Sequence, residues 1–237
     1  MKADLLESPS PTFSIEVASE NAFIIAFGDE VSPDISARVH AAANFIKESL
    51  SDVLIDIVPS YASILVIFDI WKADYRDVLS CLRQAEAHIE KTQLRQGKLV
   101  TLPVYYSVES GPDLESMASK ADISIDEVIR HHQQQEYRVY AIGFAPGFAY
   151  LGEVDERIAT ARLPTPRAHV PKGAVGIADR QTAVYPSASP GGWNLIGLCP
   201  QDMFNPASEP SMPVQVGDQV RFEPITREQF FRLGGEL

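Results

Sequence analysis

Two stretches of the chain crowd glycine and proline against aromatic residues: GFAPGFAYLG at 143–152 and SPGGWNLIG at 189–197. Glycine lets a backbone come close to a small ligand and turn its amide N–H groups toward an oxyanion. Neither stretch is a phosphate loop, because the lysine and the following helix are missing. Phe144, Gly147, Phe148 and Tyr150 in the first stretch, with Gly191, Gly192 and Trp193 in the second, are candidates to line a substrate pocket or docking surface. Turns and packing at the end of a β-barrel would use the same residues.

Three further side chains have the chemistry to complete such a site. Arg167 lies in PTPRAHVPKGAVG, where the prolines prevent a long helix, and a guanidinium held there could clamp a carboxylate through two parallel hydrogen bonds. Gln181 and Thr182 set an amide and a hydroxyl between two strand-like segments, a placement that suits substrate contact and turn chemistry alike. His132 shares an apolar helical stripe with Ile125, Val128 and Ile129; its imidazole could act as a general base, or it could be a hydrogen-bonded core histidine. His131 sits about 100° further around the helix axis, so the adjacent pair does not chelate. No HExxH, CxxC or G-x-S-x-G occurs, which argues against a zinc centre and a serine hydrolase.

The elements that must carry these residues fall into two sections. FSIEVA and NAFIIAF read as strands. Ser32-Pro33 then opens a helix whose inner face is Ile35, Val39, Ala42, Ile46 and Leu50. VLIDIVP and YASILVIFDI read as a hairpin, followed by a helix with Tyr75, Val78, Leu79, Leu82, Ala85 and Ile89 on one side. Two helices on one antiparallel sheet make a small α+β domain over residues 1–97. From Lys98 onward lie 13 of the 17 prolines and 12 of the 14 glycines. They separate short apolar runs (LVTLPVYY, YRVYAIGF, AVGIA, TAVYP, LIGLC, QVRFEPI), the pattern of a β-barrel or sandwich over residues 98–237. A short helical insertion interrupts it: GPDLESMASKA, then SIDEVIRHHQQQEY, which opens with the capping box Ser124-x-x-Glu127.

Composition narrows the partners. A formal charge of −12 argues against nucleic acid and against anionic lipid. The longest apolar runs are too short to span a bilayer. Cys81 and Cys199, far apart, read as free thiols, and MKADLLESPSP lacks the apolar core of a secretory leader, so a cytoplasmic location is expected.

At SGPDL (110–114), DEVIRHH with Tyr137, IGFAPGFAYLG, TPRAHVPKGAVGIADRQTAVYP (165–186) and SPGGWNLIG the chain resembles the bacterial 5-oxoprolinase B-component family, also described as kinase-inhibitor-like or allophanate hydrolase subunit 1-like. The resemblance covers most of the second section; the first agrees in element order. It implies a ferredoxin-like α+β domain followed by a cyclophilin-like barrel. The implied activity is ATP-dependent hydrolysis of 5-oxo-L-proline to L-glutamate, carried out with the A and C components of the same enzyme. ATP would be used by the assembled complex, with no cofactor and no metal held by this chain. His132 as base or orienter, Arg167 as carboxylate clamp and Gln181 as amide-recognising group are expected from residue chemistry at motif positions. Phe144, Gly147, Phe148, Tyr150, Thr182, Gly191, Gly192 and Trp193 are expected around the substrate. Inhibition of a sensor histidine kinase, or membership of an amide carboxyltransferase complex, are the alternative activities. The chain departs from the family pattern at Ser107-Val108, Asp179-Arg180 and Ala183, where changed turns could alter the shape of the site.

Overall fold

The computed structural model describes residues 13–30, 32–91 and 97–237. The leader reading of residues 1–11 lies outside them. The chain divides into two compact units, residues 1–95 and 96–237.

The first unit runs β1 (Ser14–Ser19), β2 (Ala22–Ala26), α1 (Pro33–Ser49), β3 (Leu54–Pro59), β4 (Ser63–Phe68) and α2 (Tyr75–Lys91). The sheet is antiparallel in the order β1-β2-β4-β3. Ser32 caps α1 by accepting from the Ile35 N–H, with Pro33 in the first turn where no donor is needed. Phe23, Ile25, Ile64, Val66 and Phe68 face Val39, Ala42 and Ile46 of α1 and Val78, Leu82 and Ala85 of α2 in one core. The element order is ββαββα, whereas a ferredoxin-like chain runs βαββαβ. Only Glu20 and Asn21 connect β1 to β2, so a local hairpin supplies the edge strand before the first helix.

The second unit begins with β5 (Leu99–Val104), α3 (Leu114–Ala121), α4 (Ile125–Gln133), β6 (Glu136–Ile142) and β7 (Ala149–Gly152). It continues with β8 (Arg167–Val170), β9 (Ala174–Ala178), β10 (Gln181–Val184), β11 (Ser189–Gly191), β12 (Asn194–Leu198), β13 (Gln219–Pro224) and α5 (Arg227–Arg232). Seven strands form one sheet in the order β12-β9-β10-β7-β6-β13-β5. Its joins are antiparallel except the last, where β5 and β13 pair in parallel from Leu99↔Gln219 to Val104↔Pro224. Just past β5, Tyr105 bridges Leu198 of β12 through reciprocal N–H···O bonds of 2.8 and 3.0 Å, so the outer strands meet and the sheet nearly closes into a barrel. Gly197 sits at this seam; a Cβ there would lie 2.8 Å from the Tyr105 carbonyl oxygen. β8 and β11 form a separate two-stranded sheet.

Alternation along the strands produces two apolar faces. Inside the barrel, Val139, Leu151, Val175, Ile177, Val184, Ile196 and Phe222 pack with Leu114, Met117 and Val128 of the two insertion helices. On the opposite face, Phe148, Ala174, Ala178, Ala183, Tyr185, Trp193 and Leu195 form a second cluster. The capping box at the start of α4 is present in full: the Ser124 hydroxyl accepts from the Glu127 N–H, and the Glu127 carboxylate accepts from the Ser124 N–H.

Candidate functional site

The periodicity of α4 puts His132 inward, and the structure buries it completely inside the barrel. Its Nδ1 lies 2.8 Å from the Tyr106 hydroxyl, its Nε2 lies 2.9 Å from Thr182 Oγ1, and its ring stacks on Phe222 at 4.6 Å. The Thr182 hydroxyl donates to the Gly176 carbonyl at 3.0 Å, so its oxygen accepts from His132 Nε2–H. The Tyr106 O–H then donates to Nδ1. Both ring nitrogens are occupied, and burial pushes the imidazole pKa down to about 3, so the ring is neutral. Burial also raises the Tyr106 and Tyr137 hydroxyls well above the ordinary tyrosine range. His131 is buried too, 3.5 Å from the Asp155 carboxylate, which a bidentate bond from Arg157 holds well below the usual carboxylate range.

Thr182 and Gln181 are neighbours on β10, so their side chains leave opposite faces. Thr182 goes inward with His132. Gln181 goes outward with Ala183 and Tyr185, is half-buried, and is engaged with a neighbour of its own. That outer face gathers most of the other expected site residues. Phe148 meets Tyr150, Tyr185 and Trp193 edge-to-face at centroid distances of 4.9, 5.3 and 5.6 Å, and Phe144, two-thirds exposed, adds a fourth edge contact at 5.3 Å. Gly191 packs against the Tyr185 hydroxyl, while Gly192 has room for a Cβ. Trp193 is buried by these rings, so it forms the floor of the cluster and not an open wall.

Arg167, at the start of β8, pairs with Asp113 at 2.7 Å and reaches the Trp193 carbonyl at 3.4 Å. Asp113 stands at the N-terminus of α3 without capping it; its second oxygen accepts from the Leu195 N–H at 2.6 Å. The guanidinium therefore ties β8 to α3 and β12. Its charge is matched within the protein.

Arg162, which lies outside every motif, completes this face, and Asn194 inside SPGGWNLIG helps to hold it there. Arg162 places its guanidinium carbon 5.8 Å from the centre of the Trp193 ring. Asn194, fully buried, donates to the Ala161 carbonyl at 3.0 Å and the Ile177 carbonyl at 3.1 Å, and the Leu163 N–H donates to the Gly192 carbonyl at 2.7 Å. The segment bearing Arg162 is thus held on both sides to the loop bearing Trp193. A polar residue inside the apolar run WNLIG is the sequence signal that could have pointed to Asn194.

The departures from the family pattern are accommodated locally. Asp179 occupies the left-handed region (φ 52°) in the turn between β9 and β10, a conformation that aspartate tolerates better than most residues. Ser107 and Ser110 close their loop by a hydroxyl–hydroxyl contact of 3.1 Å, and Ala183 is buried on the aromatic face.

The first glycine stretch is shaped by Gly147 (φ 85°), where a Cβ would stand 2.6 Å from the Met203 carbonyl oxygen and 2.7 Å from Phe204 Cβ. Gly147→Ala is expected to cost at least about 2 kcal/mol through left-handed strain and backbone collision. Urea unfolding against wild type checks this; an unchanged midpoint would mean the loop has room to yield.

Among the described residues, no group of three or more His, Cys, Asp or Glu side chains could hold a metal ion. No helix among them is long and apolar enough to cross a membrane. Cys81 and Cys199 are free thiols, and burial pushes the Cys199 thiol up to about 12.

Residues 13–214 match the family described as carboxyltransferase domain, subdomain C and D. The B component of the 5-oxoprolinase of Bacillus subtilis (strain 168) is 36% identical over 228 residues, covering 92% of this chain and 95% of that protein. The solved structure of TTHA0988 superposes with a TM-score of 0.77 at 34% identity over 86% of this chain, which spans 40% of that longer chain. The conserved uncharacterized protein PH0987 from Pyrococcus horikoshii is 46% identical over 92% of this chain and all of that one, with a TM-score of 0.55. The chain therefore belongs to the family of the carboxyltransferase domain, subdomain C and D, among the relatives of the 5-oxoprolinase B component.

Proposed function

We propose that this chain is the B component of a multi-subunit, ATP-dependent 5-oxoprolinase that hydrolyses 5-oxo-L-proline to L-glutamate in the cytoplasm. The observation that carries the reading is the near end-to-end similarity to the Bacillus subtilis protein. The A and C components are the partners, ATP is used by the assembled complex, and this chain holds no cofactor. In the same reading the second unit is a cyclophilin-like barrel, and the first is a ferredoxin-like layer in which β1 takes the place of the last edge strand.

The chemistry sets what the site must supply. Water adds to the lactam carbonyl carbon, the ring C–N bond breaks, the new carboxylate forms at that carbon and the released nitrogen takes up both protons of that water to become the ammonium group. A small, flat anion of this kind suits a cationic, aromatic face better than the barrel interior. Gln181 keeps the role of recognising the lactam amide, Phe144 and Tyr150 supply aromatic surface on the outer face, and Gly147, Phe148, Gly191, Gly192 and Trp193 shape its floor. His132 acts as an orienter: its neutral, doubly bonded ring fixes Thr182 and Tyr106 and has no nitrogen left to take a proton from water. Arg167 orders the loop through Asp113.

Reconstitution tests the reading. The partner proteins with this chain should convert 5-oxo-L-proline to L-glutamate at the expense of ATP, and leaving this chain out should abolish turnover. Full activity from the partners alone would refute the assignment.

A further inference from the structure

We infer that Arg162, and not Arg167, reads the carboxylate of the substrate. This rests on the 5-oxoprolinase reading and names the residue that sets its specificity. Arg167 is committed: Asp113 holds one arm at 2.7 Å and the Trp193 carbonyl takes the other at 3.4 Å. A ligand carboxylate at Arg167 would have to displace a buried aspartate that also serves the Leu195 N–H. Stripping that pair leaves a buried charge without a partner.

Arg162 is the opposite case. It is exposed, and it makes no ion pair among the described residues, in a chain with 32 acidic side chains against 20 lysines and arginines. Its guanidinium carbon stands 5.8 Å from the centre of the Trp193 ring, and with no carboxylate paired to it among the described residues its forked N–H donors suit a two-point bond to a ligand carboxylate. The placement is built and not incidental. The residue before it is held through its carbonyl by the buried Asn194 amide, and the residue after it through its N–H by Gly192. Its positive charge reaches the Tyr185 hydroxyl, where it opposes the upward pull of burial on that group. Arg162, Trp193 and Tyr185 thus converge beside Gly191, and the ligand class they fit is a small carboxylate bearing a flat ring.

The test uses the assembled complex with wild-type chain, Arg162→Ala and Arg162→Lys. Arg162→Ala should raise KM for 5-oxo-L-proline at least about thirtyfold while KM for ATP and kcat stay within about threefold. Arg162→Lys should recover part of the loss, because it restores the charge without the fork. A KM for 5-oxo-L-proline within about threefold of wild type overturns the inference. Calorimetric titration of the same complexes without ATP, using 5-oxo-L-proline and the neutral lactam 2-pyrrolidinone, separates the role of Arg162 from the enzyme reading. Weakening of the acid by at least about thirtyfold in Arg162→Ala, with the neutral lactam unaffected, supports Arg162 whether or not the complex turns over. Equal binding by wild type and variant, or no binding of the acid by wild type, overturns it. A wild-type complex that binds the acid but never hydrolyses it sinks the enzyme reading alone.

Discussion

His132→Ala is expected to destabilise the second unit by about 4 kcal/mol, measured as a shift in the urea unfolding midpoint at about pH 7.5. The imidazole is fully buried, stacked on Phe222 and bonded at both nitrogens. Removing it opens a cavity of roughly half a phenyl side chain, worth about 2–3 kcal/mol, and leaves the Tyr106 and Thr182 hydroxyls short of a partner at about 1 kcal/mol each. The same burial predicts a pH dependence. The folded-state pKa is about 3 against 6.5 for an exposed ring, so between those values the unfolded chain carries a proton that the folded chain does not. Stability is therefore complete above about pH 6.5 and falls with acidification by up to about 1.4 kcal/mol per pH unit, flattening near pH 3. His132→Gln, which keeps polar atoms but does not titrate, should show a shallower slope than wild type between about pH 6.5 and about pH 4.5. His131 beside Asp155 is common to both proteins and cancels in the comparison. Equal slopes would show that the ring is protonated in the fold. If instead His132→Gln proved fully stable but abolished turnover in a reconstituted complex, the imidazole would be acting on substrate and the orienting role would fall.

Asp113→Ala should cost about 3 kcal/mol, a large loss for a residue outside the apolar core. One carboxylate oxygen serves Arg167, and the other accepts the Leu195 N–H on β12. Alanine leaves a largely buried guanidinium without its counter-charge and a buried strand amide without an acceptor. The double variant Asp113→Ala/Arg167→Ala should be less destabilised than the sum of the single variants, because the unpaired charge is gone while the unbonded amide remains. Additive losses in urea unfolding would show that the pair is not coupled. This arrangement also explains why Arg167 looks functional in the sequence: a guanidinium fixed in a proline-pinned segment is required to join β8 to α3, whatever it does for a ligand.

The parts of this architecture that are legible in the sequence are those specified by neighbours in the chain. The start of α1 at Ser32-Pro33 and the capping box at Ser124 are written within four residues, and the structure shows both. The stripe through Ile125, Val128 and Ile129 points His132 inward for the same reason. The contacts it makes there come from Tyr106 and Thr182, the latter 50 positions away, and no local pattern reports them. β7, β8 and β11 carry little strand signal because they are short and contain or adjoin glycine or proline, residues that strands ordinarily disfavour. Pro190 is tolerated in β11 because that strand belongs to a two-stranded sheet with an open edge. Arg162 is invisible for a related reason. Nothing in TARLP marks it, and its place over Trp193 is fixed by Asn194 and Gly192, far along the chain.

The parallel join of β5 to β13 sets the order in which the barrel can form. Leu99 and Gln219, paired at one end of that ladder, are separated by 120 positions (219 − 99), and among the described residues no other strand ladder holds β5. A ribosome making this protein therefore releases β5 long before its mate exists, and the apolar residues Leu102 and Val104 must wait through the synthesis of nearly the whole unit. Such distant closure makes folding slow and late, and it leaves the nascent chain prone to sticking until residues 219–224 arrive.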